Sequence, residues 1–64
     1  MTLSPRQRDV LAHIADGLRI KQSADRLGIE YNTARSHAAK AKNRLGAKSA
    51  AHAVAIALRK GLIQ

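Results

Sequence analysis

The four glycines and the single proline of this 64-residue chain divide it into short segments, and these breaks limit the length of any helix or strand. Ser4, Pro5 and Gln7 form the pattern of a capping box with proline at the first helical position. Ser49 is a suitable N-cap further along. Apolar residues recur at helical spacing and each run ends at a glycine, namely Gly17, Gly28, Gly46 and Gly61. The sequence therefore predicts four helices, over about residues 5–16, 20–27, 31–45 and 50–60.

The residue content indicates one small all-α domain over residues 1–64. No alternating run of β-branched residues predicts a strand. The chain has no cysteine and one aromatic residue, Tyr31, so its core must come from leucine, isoleucine, valine and alanine. A core of this size supplies only about 3–5 kcal/mol of net stability. No apolar run is long enough to cross a bilayer and the N-terminus is not a signal peptide, so we expect a soluble cytoplasmic protein.

The second and third predicted helices have the spacing of a helix-turn-helix. If the second helix begins at Ile20, Ala24 is its fifth residue, where a small side chain lets the two helices approach. Gly28 is the ninth residue and can adopt the left-handed conformation that the bend needs. Ala34, the fifteenth, anchors the third helix to the core. Such a pair presents its second helix outward, where it can lie in a DNA major groove.

The net positive charge is concentrated in the second half of the chain. The formal net charge is +8. Residues 1–30 contain five basic and four acidic side chains, whereas residues 31–64 contain seven basic and no acidic ones. Such a distribution attracts a polyanion, nucleic acid first and an anionic membrane second. A merely solubilising surface is the alternative, but such surfaces usually mix both signs.

The third predicted helix, YNTARSHAAKAKNRLG at 31–46, places its alanines and its bases on different faces. Glu30 or Asn32 is expected to cap it. The inward face is formed by Ala34, Ala38, Ala41 and Leu45. Short outward side chains allow close approach to base pairs, and long cations reach the flanking phosphates. An alanine-rich packing helix with a solvated basic face is the alternative interpretation.

The sequence resembles the LuxR-type helix-turn-helix family, the four-helix DNA-binding domain of many bacterial regulators. The resemblance extends from Leu3 to Ile63 and rests on the order and spacing of several motifs. These are LSPRQRDVL at 3–11, ADGL at 15–18, the lysine at 21, ADRLGI at 24–29, TARSH at 33–37, RLGAKS at 44–49 and AVAIALRKGLI at 53–63.

Four features depart from the family pattern. The family usually has glutamate in place of Gln7, larger aliphatic residues in place of Ala34 and Ala41, and a long polar residue in place of Ala39. In the family this domain usually follows a receiver or ligand-binding domain. This chain is therefore expected to be either a piece cut from a larger regulator or a complete single-domain regulator, and Met1 directly before the domain slightly favours the latter.

The resemblance implies that the third helix enters the major groove and that the fourth helix often mediates dimerisation. The family's base-facing positions fall on Arg35, Ser36 and Ala39. Its phosphate-facing positions fall on Lys21, Asn32 or Thr33, His37 and Lys40. An alanine at position 39 can still contact a thymine methyl group.

Several basic residues have alternative roles. Arg35 is the best candidate for a base contact, through guanine O6 and N7, with a phosphate contact as the alternative. Lys40 and Lys42 suit phosphate contacts, because the lysine ammonium is a compact and mobile charge. Arg44 and Lys48 either extend this phosphate track or are solvated.

Tyr31 and the three histidines are also open to more than one interpretation. Tyr31 either donates its hydroxyl to a phosphate or shields the edge of the core. His37 either donates to a phosphate or holds a backbone carbonyl at the rim of the core. His13 and His52 are interpreted as surface or rim residues. Because the three histidines fall on three predicted helices, we expect no metal site, and no nucleophile-base arrangement predicts catalysis or a cofactor.

The fourth predicted helix is apolar over more of its circumference than one core requires. Its non-polar positions cover an arc of roughly 260° at 100° per residue, whereas packing on one core needs about 100°. The excess predicts contact with the same helix of a second copy. Ala50, Ala53 and Ala57 would allow close approach there, and Ile56 is the bulky residue outside the core arc.

The combined prediction is a sequence-specific double-stranded DNA-binding regulator of transcription, bacterial or phage-type, that forms a homodimer at least on DNA. The main alternative is a protein-interaction module that binds RNA polymerase or another regulator, because the first nine residues also resemble region four of bacterial sigma factors. A cationic membrane-surface helix is a weaker alternative, because the third helix lacks the Trp, Phe and Leu face that it would need.

Overall fold

The computed structural model of the chain describes residues 3–64 and contains four α-helices in this range and no strand. They are α1 (Pro5–Ala15), α2 (Ile20–Leu27), α3 (Tyr31–Arg44) and α4 (Ala50–Arg59). The predicted all-α fold with four helices is confirmed. Helices α1, α3 and α4 each end one residue before the predicted position. The expectation that was based on Met1 lies outside the described residues.

Helices α1 and α4 each begin with a serine cap. At the start of α1, Ser4 Oγ accepts a hydrogen bond from the Gln7 N–H (3.2 Å) and Gln7 Oε1 accepts one from the Ser4 N–H (3.0 Å). At the start of α4, Ser49 Oγ accepts from the His52 N–H (3.1 Å) and His52 Nδ1 accepts from the Lys48 N–H (3.0 Å). Both predicted serine caps are therefore present; α1 has the full capping box, and in α4 the His52 ring instead accepts the N–H of the residue before the N-cap.

Helices α2 and α3 begin without a serine or threonine cap. The side chain of Arg19, the N-cap of α2, accepts no hydrogen bond, as expected for a guanidinium, which has no acceptor atom. Instead Gln22 Oε1 accepts the Arg19 N–H at 2.8 Å, which is half of a capping box. Of the two candidate caps for α3, Glu30 occupies the N-cap position, and its side chain also accepts no hydrogen bond there.

The turn between α2 and α3 fixes the direction in which α3 leaves. Gly28 has φ +67° and ψ +33°, the left-handed conformation predicted for this position. The Ile29 N–H donates to the Ala24 carbonyl at 3.0 Å, which closes the end of α2. Ala24 and Ala34 are both buried, so methyl groups form the contact that seats α3 against its neighbours. The predicted helix-turn-helix geometry is therefore present.

The core consists of two apolar clusters that share α1 and α3. The first lies between α1, α2 and α3 and is built on Val10, Ala24 and Ala34. The second lies between α1, α3, α4 and the C-terminal tail and is built on Leu3, Leu11, Ala41, Ala53, Ala57 and Ile63. Among the described residues α2 and α4 do not contact each other. Helices α1 and α3 are therefore the central pair, and α3 is anchored at both of its ends.

The structure corrects the predicted dimerisation surface. Ala53 and Ala57 are completely buried in the chain's own core, so neither can face a second copy. Ala50 is exposed and Ile56 is half-buried. The prediction was wrong for the two buried alanines because they form the inner face of α4 against α1 and α3. The exposed large apolar side chain of α4 is Leu58, which is 47% accessible to solvent.

Replacement of Gly28 tests the turn. A Cβ at this position would meet no atom within 4 Å, so the cost of Gly28→Ala is conformational rather than steric. We expect Gly28→Ala to lower the free energy of unfolding by about 1–2 kcal/mol, measured by denaturant titration. Gly28→Asn should lose less, because asparagine tolerates the left-handed region better than alanine does. Equal stability of the alanine variant and the parent would contradict a fixed left-handed turn here.

Candidate nucleic-acid interface

Helix α3 carries a strip of short side chains along its solvent-facing side. Ala34 and Ala41 are fully buried and Ala38 is half-buried, which fixes the face that packs on the core. At 100° per residue the opposite side is centred on four exposed residues, here called the outer strip: Asn32, Ser36, Ala39 and Asn43. Short side chains along a whole helix face let its backbone approach a partner surface closely.

Cationic side chains border the outer strip on both edges. The 100° spacing places Arg35 and Lys42 along one edge and Lys40 and Arg44 along the other. Arg35, Lys40 and Arg44 are exposed, and Lys42 is half-buried. Because α3 contains no acidic residue, no carboxylate within the helix neutralises these charges. The face thus has short side chains along its centre and positive charges along both edges, an arrangement that fits a groove lined by phosphates.

The N-terminus of α3 also faces solvent. The first backbone N–H groups of an α-helix have no partner within the helix. In α3 these belong to Tyr31, Asn32 and Thr33, all exposed residues, and the Glu30 side chain does not cap them. Together with the helix dipole, such groups favour a phosphate oxygen. The asparagine and threonine side chains lie beside the same end and can donate hydrogen bonds to the same kind of acceptor.

Tyr31 and Arg35 contact each other on one edge of α3. The guanidinium carbon of Arg35 lies 5.8 Å from the centre of the Tyr31 ring, over its face. The tyrosine is 49% exposed and belongs to neither apolar cluster. Among the described residues it therefore contributes little to the core, and the interpretation of Tyr31 as a shield for the core edge receives no support from its packing.

The predicted DNA-binding residues are brought together on one helix, with one exception. Nine of the ten lie on α3 and all of those are exposed except His37, which is half-buried at the border of the packed face. Lys21 is exposed near the start of α2, a separate helix that packs on α3. Asn43 lies within the outer strip but was not predicted. Its spacing of seven residues from Ser36 is the sequence signal that indicates it.

The remaining histidines have structural roles that the sequence did not reveal. His13 Nδ1 lies 2.7 Å from the Oγ of the fully buried Ser23, which joins α1 to α2. His52 caps α4 as described above. Residues 3–64 contain no group of three or more histidine, cysteine or acidic side chains placed to hold a metal ion. In the same range no helix has both the length and the apolar character required to span a bilayer.

Comparisons with known proteins identify the family. The protein-family model for bacterial regulatory proteins of the luxR family matches residues 1–57 of this chain. Two similar relatives are the transcriptional activator protein BjaR1 of Bradyrhizobium diazoefficiens and the transcriptional regulatory protein MctR of Rhizobium johnstonii. Each is 38% identical over 61 residues, which is 95% of this chain but 25% and 28% of the respective relative. The resemblance found in the motifs is thus confirmed, and this chain belongs to the luxR family of bacterial regulatory proteins.

Proposed function

We propose that this chain binds double-stranded DNA sequence-specifically, with α3 in the major groove, and regulates transcription. The observation that carries this proposal is the outer strip of short side chains bordered by cations on the exposed face of α3. The left-handed turn at Gly28 and the buried methyl groups of Ala24 and Ala34 hold that face outward. The family, and two relatives whose names describe a transcriptional activator and a transcriptional regulator, support the same role.

The residues of α3 divide into two groups in this proposal. Base edges are contacted from the middle of the helix. Arg35 donates hydrogen bonds to guanine, and Ala39 contacts a thymine methyl group. Ser36 and Asn43 donate to or accept from polar atoms on the base edges. Phosphates are contacted around this centre by six further candidates, which are Lys21, Asn32, Thr33, His37, Lys40 and Arg44. Contacts of the second group fix the position of the helix and carry no sequence information of their own.

The alternative of a protein-interaction module for RNA polymerase is less favoured. The family consists of bacterial regulatory proteins, and the names of both relatives describe regulators of transcription. Because α3 contains no acidic residue, it can lie in a phosphate-lined groove without charge repulsion. A contact with RNA polymerase through another face is compatible with DNA binding. We propose that the protein is a regulator with neither catalytic activity nor a cofactor. We place it in the cytoplasm, associated with the nucleoid when it is bound to DNA.

Removal of one α3 cation tests the phosphate contacts. If each copy neutralises about five phosphates, log affinity falls with log salt concentration at a slope of about −4.5. We expect Lys40→Ala to weaken binding equally for all duplex sequences and to reduce that slope by about 0.9 in magnitude, measured by fluorescence anisotropy between 50 and 200 mM salt. Lys60→Ala removes the same charge from the end of α4 and serves as the control. Equal changes of slope in both variants would contradict a specific contact by Lys40.

Substitution of Arg35 tests the base contact. After a preferred site has been selected from a random duplex pool, Arg35→Ala is expected to lower discrimination at one base pair by about 1–3 kcal/mol. Arg35→Lys is the matched control, because it keeps the charge but loses the two-pronged donor geometry. It should retain most of the affinity without restoring the base preference. An unchanged preference at every position in Arg35→Ala would refute the assigned role.

We further propose that two copies meet through the outward face of α4 when bound to DNA. With Ala53 and Ala57 buried, this face is centred on Ala51, Ala55 and the 47%-exposed Leu58, which follow helical spacing. Ala50 and Ile56, the two predicted residues that are not fully buried, lie off this face, about 100° and 140° from Ala51 around the helix. Two small residues and one large one allow close packing of a helix against its copy.

Placing a charge on Leu58 tests this dimer. The parent protein should occupy a duplex with two half-sites about 10 bp apart as a two-to-one complex in sedimentation velocity. Leu58→Glu is expected to give mainly one-to-one complexes, because it places a carboxylate in the apolar contact. Ala15→Glu, on the exposed end of α1, is the control and should leave the stoichiometry unchanged. A two-to-one complex in the Leu58 variant would exclude this face.

A further inference from the structure

The contact between Tyr31 and Arg35 has a geometry that matters for base recognition. The two residues are four apart on α3, so they lie one above the other on the helix surface. The distance of 5.8 Å from the guanidinium carbon to the ring centre is within the roughly 6 Å range of a cation–π interaction. The tyrosine is the first residue of the helix, whose position the Gly28 turn defines. The backbone that carries the ring therefore belongs to a structured part of the fold.

A ring contact leaves the hydrogen-bonding capacity of an arginine intact. The face of an aromatic ring has no oxygen or nitrogen acceptor, so such a contact leaves the five N–H donors of a guanidinium available to another partner. A carboxylate partner would instead occupy those same donors, but α3 contains no acidic residue. Arg35 is thus restrained by a neighbour that does not compete with the O6 and N7 acceptors of guanine.

A restrained arginine loses less entropy when it binds. A free arginine side chain has about 2 kcal/mol of rotamer entropy to lose, and orienting the group before binding reduces this loss. The ring of Tyr31 is the one aromatic surface in the sequence, and it lies next to the residue that the proposed function assigns to a base contact. Exposure of about half of this large apolar side chain is otherwise without a packing explanation in the described structure.

We propose that Tyr31 is a positioning residue that orients the Arg35 guanidinium for its base contact, and that its ring rather than its hydroxyl provides this effect. This inference rests on the proposed function, in which Arg35 contacts a base. It assigns to Tyr31 a contribution to sequence discrimination at one base pair. A phosphate contact through the hydroxyl would instead strengthen binding to all sequences alike.

The test compares two substitutions of Tyr31 that separate the ring from the hydroxyl. Dissociation constants are measured for the parent, Tyr31→Phe, Tyr31→Leu, Arg35→Ala and the Tyr31→Leu/Arg35→Ala double variant. The duplexes are the selected site and the same site altered at the base pair whose preference Arg35→Ala removes. We expect Tyr31→Leu to lower discrimination at that pair about two- to fivefold, with an unchanged salt slope. Tyr31→Phe should discriminate as the parent does, and the leucine effect should vanish in the Arg35→Ala background.

An NMR measurement on the free protein provides a second readout. A ring over the guanidinium shifts the Arg35 side-chain protons upfield, and this shift should persist in Tyr31→Phe and disappear in Tyr31→Leu. Because Tyr31 is exposed and outside both apolar clusters, both variants should fold, and their amide spectra verify this. Absence of a ring-current shift in the parent would overturn the positioning role.

The possible outcomes distinguish this inference from the function on which it rests. Parent-like discrimination in Tyr31→Leu, or a leucine effect that persists without Arg35, overturns the positioning role and leaves DNA binding intact. Equal weakening for all sequences in Tyr31→Phe assigns the hydroxyl to a phosphate and also overturns it. If Arg35→Ala itself leaves every base preference unchanged, the assignment of Arg35 fails first and the role of Tyr31 fails with it.

Discussion

The packing of α3 through methyl groups is the interaction on which the rest of the structure depends. Ala34 and Ala41 are completely buried at two points along the helix, each in a different apolar cluster. Methyl groups allow α3 to lie close to α1, and they leave every long side chain of α3 directed along its edges or outward. A helix attached in this way can present one complete face to a partner. Larger aliphatic residues at these two positions, which are usual in the family, would hold α3 farther from its neighbours.

Most of the fold could be predicted because its boundaries are set by local chemistry. Ser4, Gln7 and Ser49 form caps whose partners lie three residues away, and Gly28 adopts the backbone conformation that its position requires. Which face of α4 packs against the core could not be predicted from the sequence in the same way. When alanine occurs around most of a helix, periodicity does not distinguish the packed side from the exposed side, and only the position of α1 and α3 places Ala53 and Ala57 inside.

The candidate site was predictable where it depends on charge and spacing, and less so where it depends on side-chain conformation. The absence of acidic residues from 31–64, which leaves seven basic side chains there, was enough to predict a polyanion partner. The contact of Arg35 with Tyr31 depends on rotamers, and the hydrogen bond of His13 with Ser23 joins two helices, so neither follows from a motif. The individual DNA contacts remain predictions, because their assignment requires the position of the duplex.

The separation of α2 from α4 has a consequence for how the domain can change. Because these helices do not touch, the two apolar clusters of residues 3–64 are linked through the two helices that contribute to both, α1 and α3. The Gly28 turn lies beside the cluster built on Ala24 and Ala34, which α4 does not enter, whereas Ala41 ties the other end of α3 to the α4 cluster. A substitution on α4 therefore reaches the turn that directs α3 through α1 or α3, so the two ends of the domain differ in how directly they affect the exposed face.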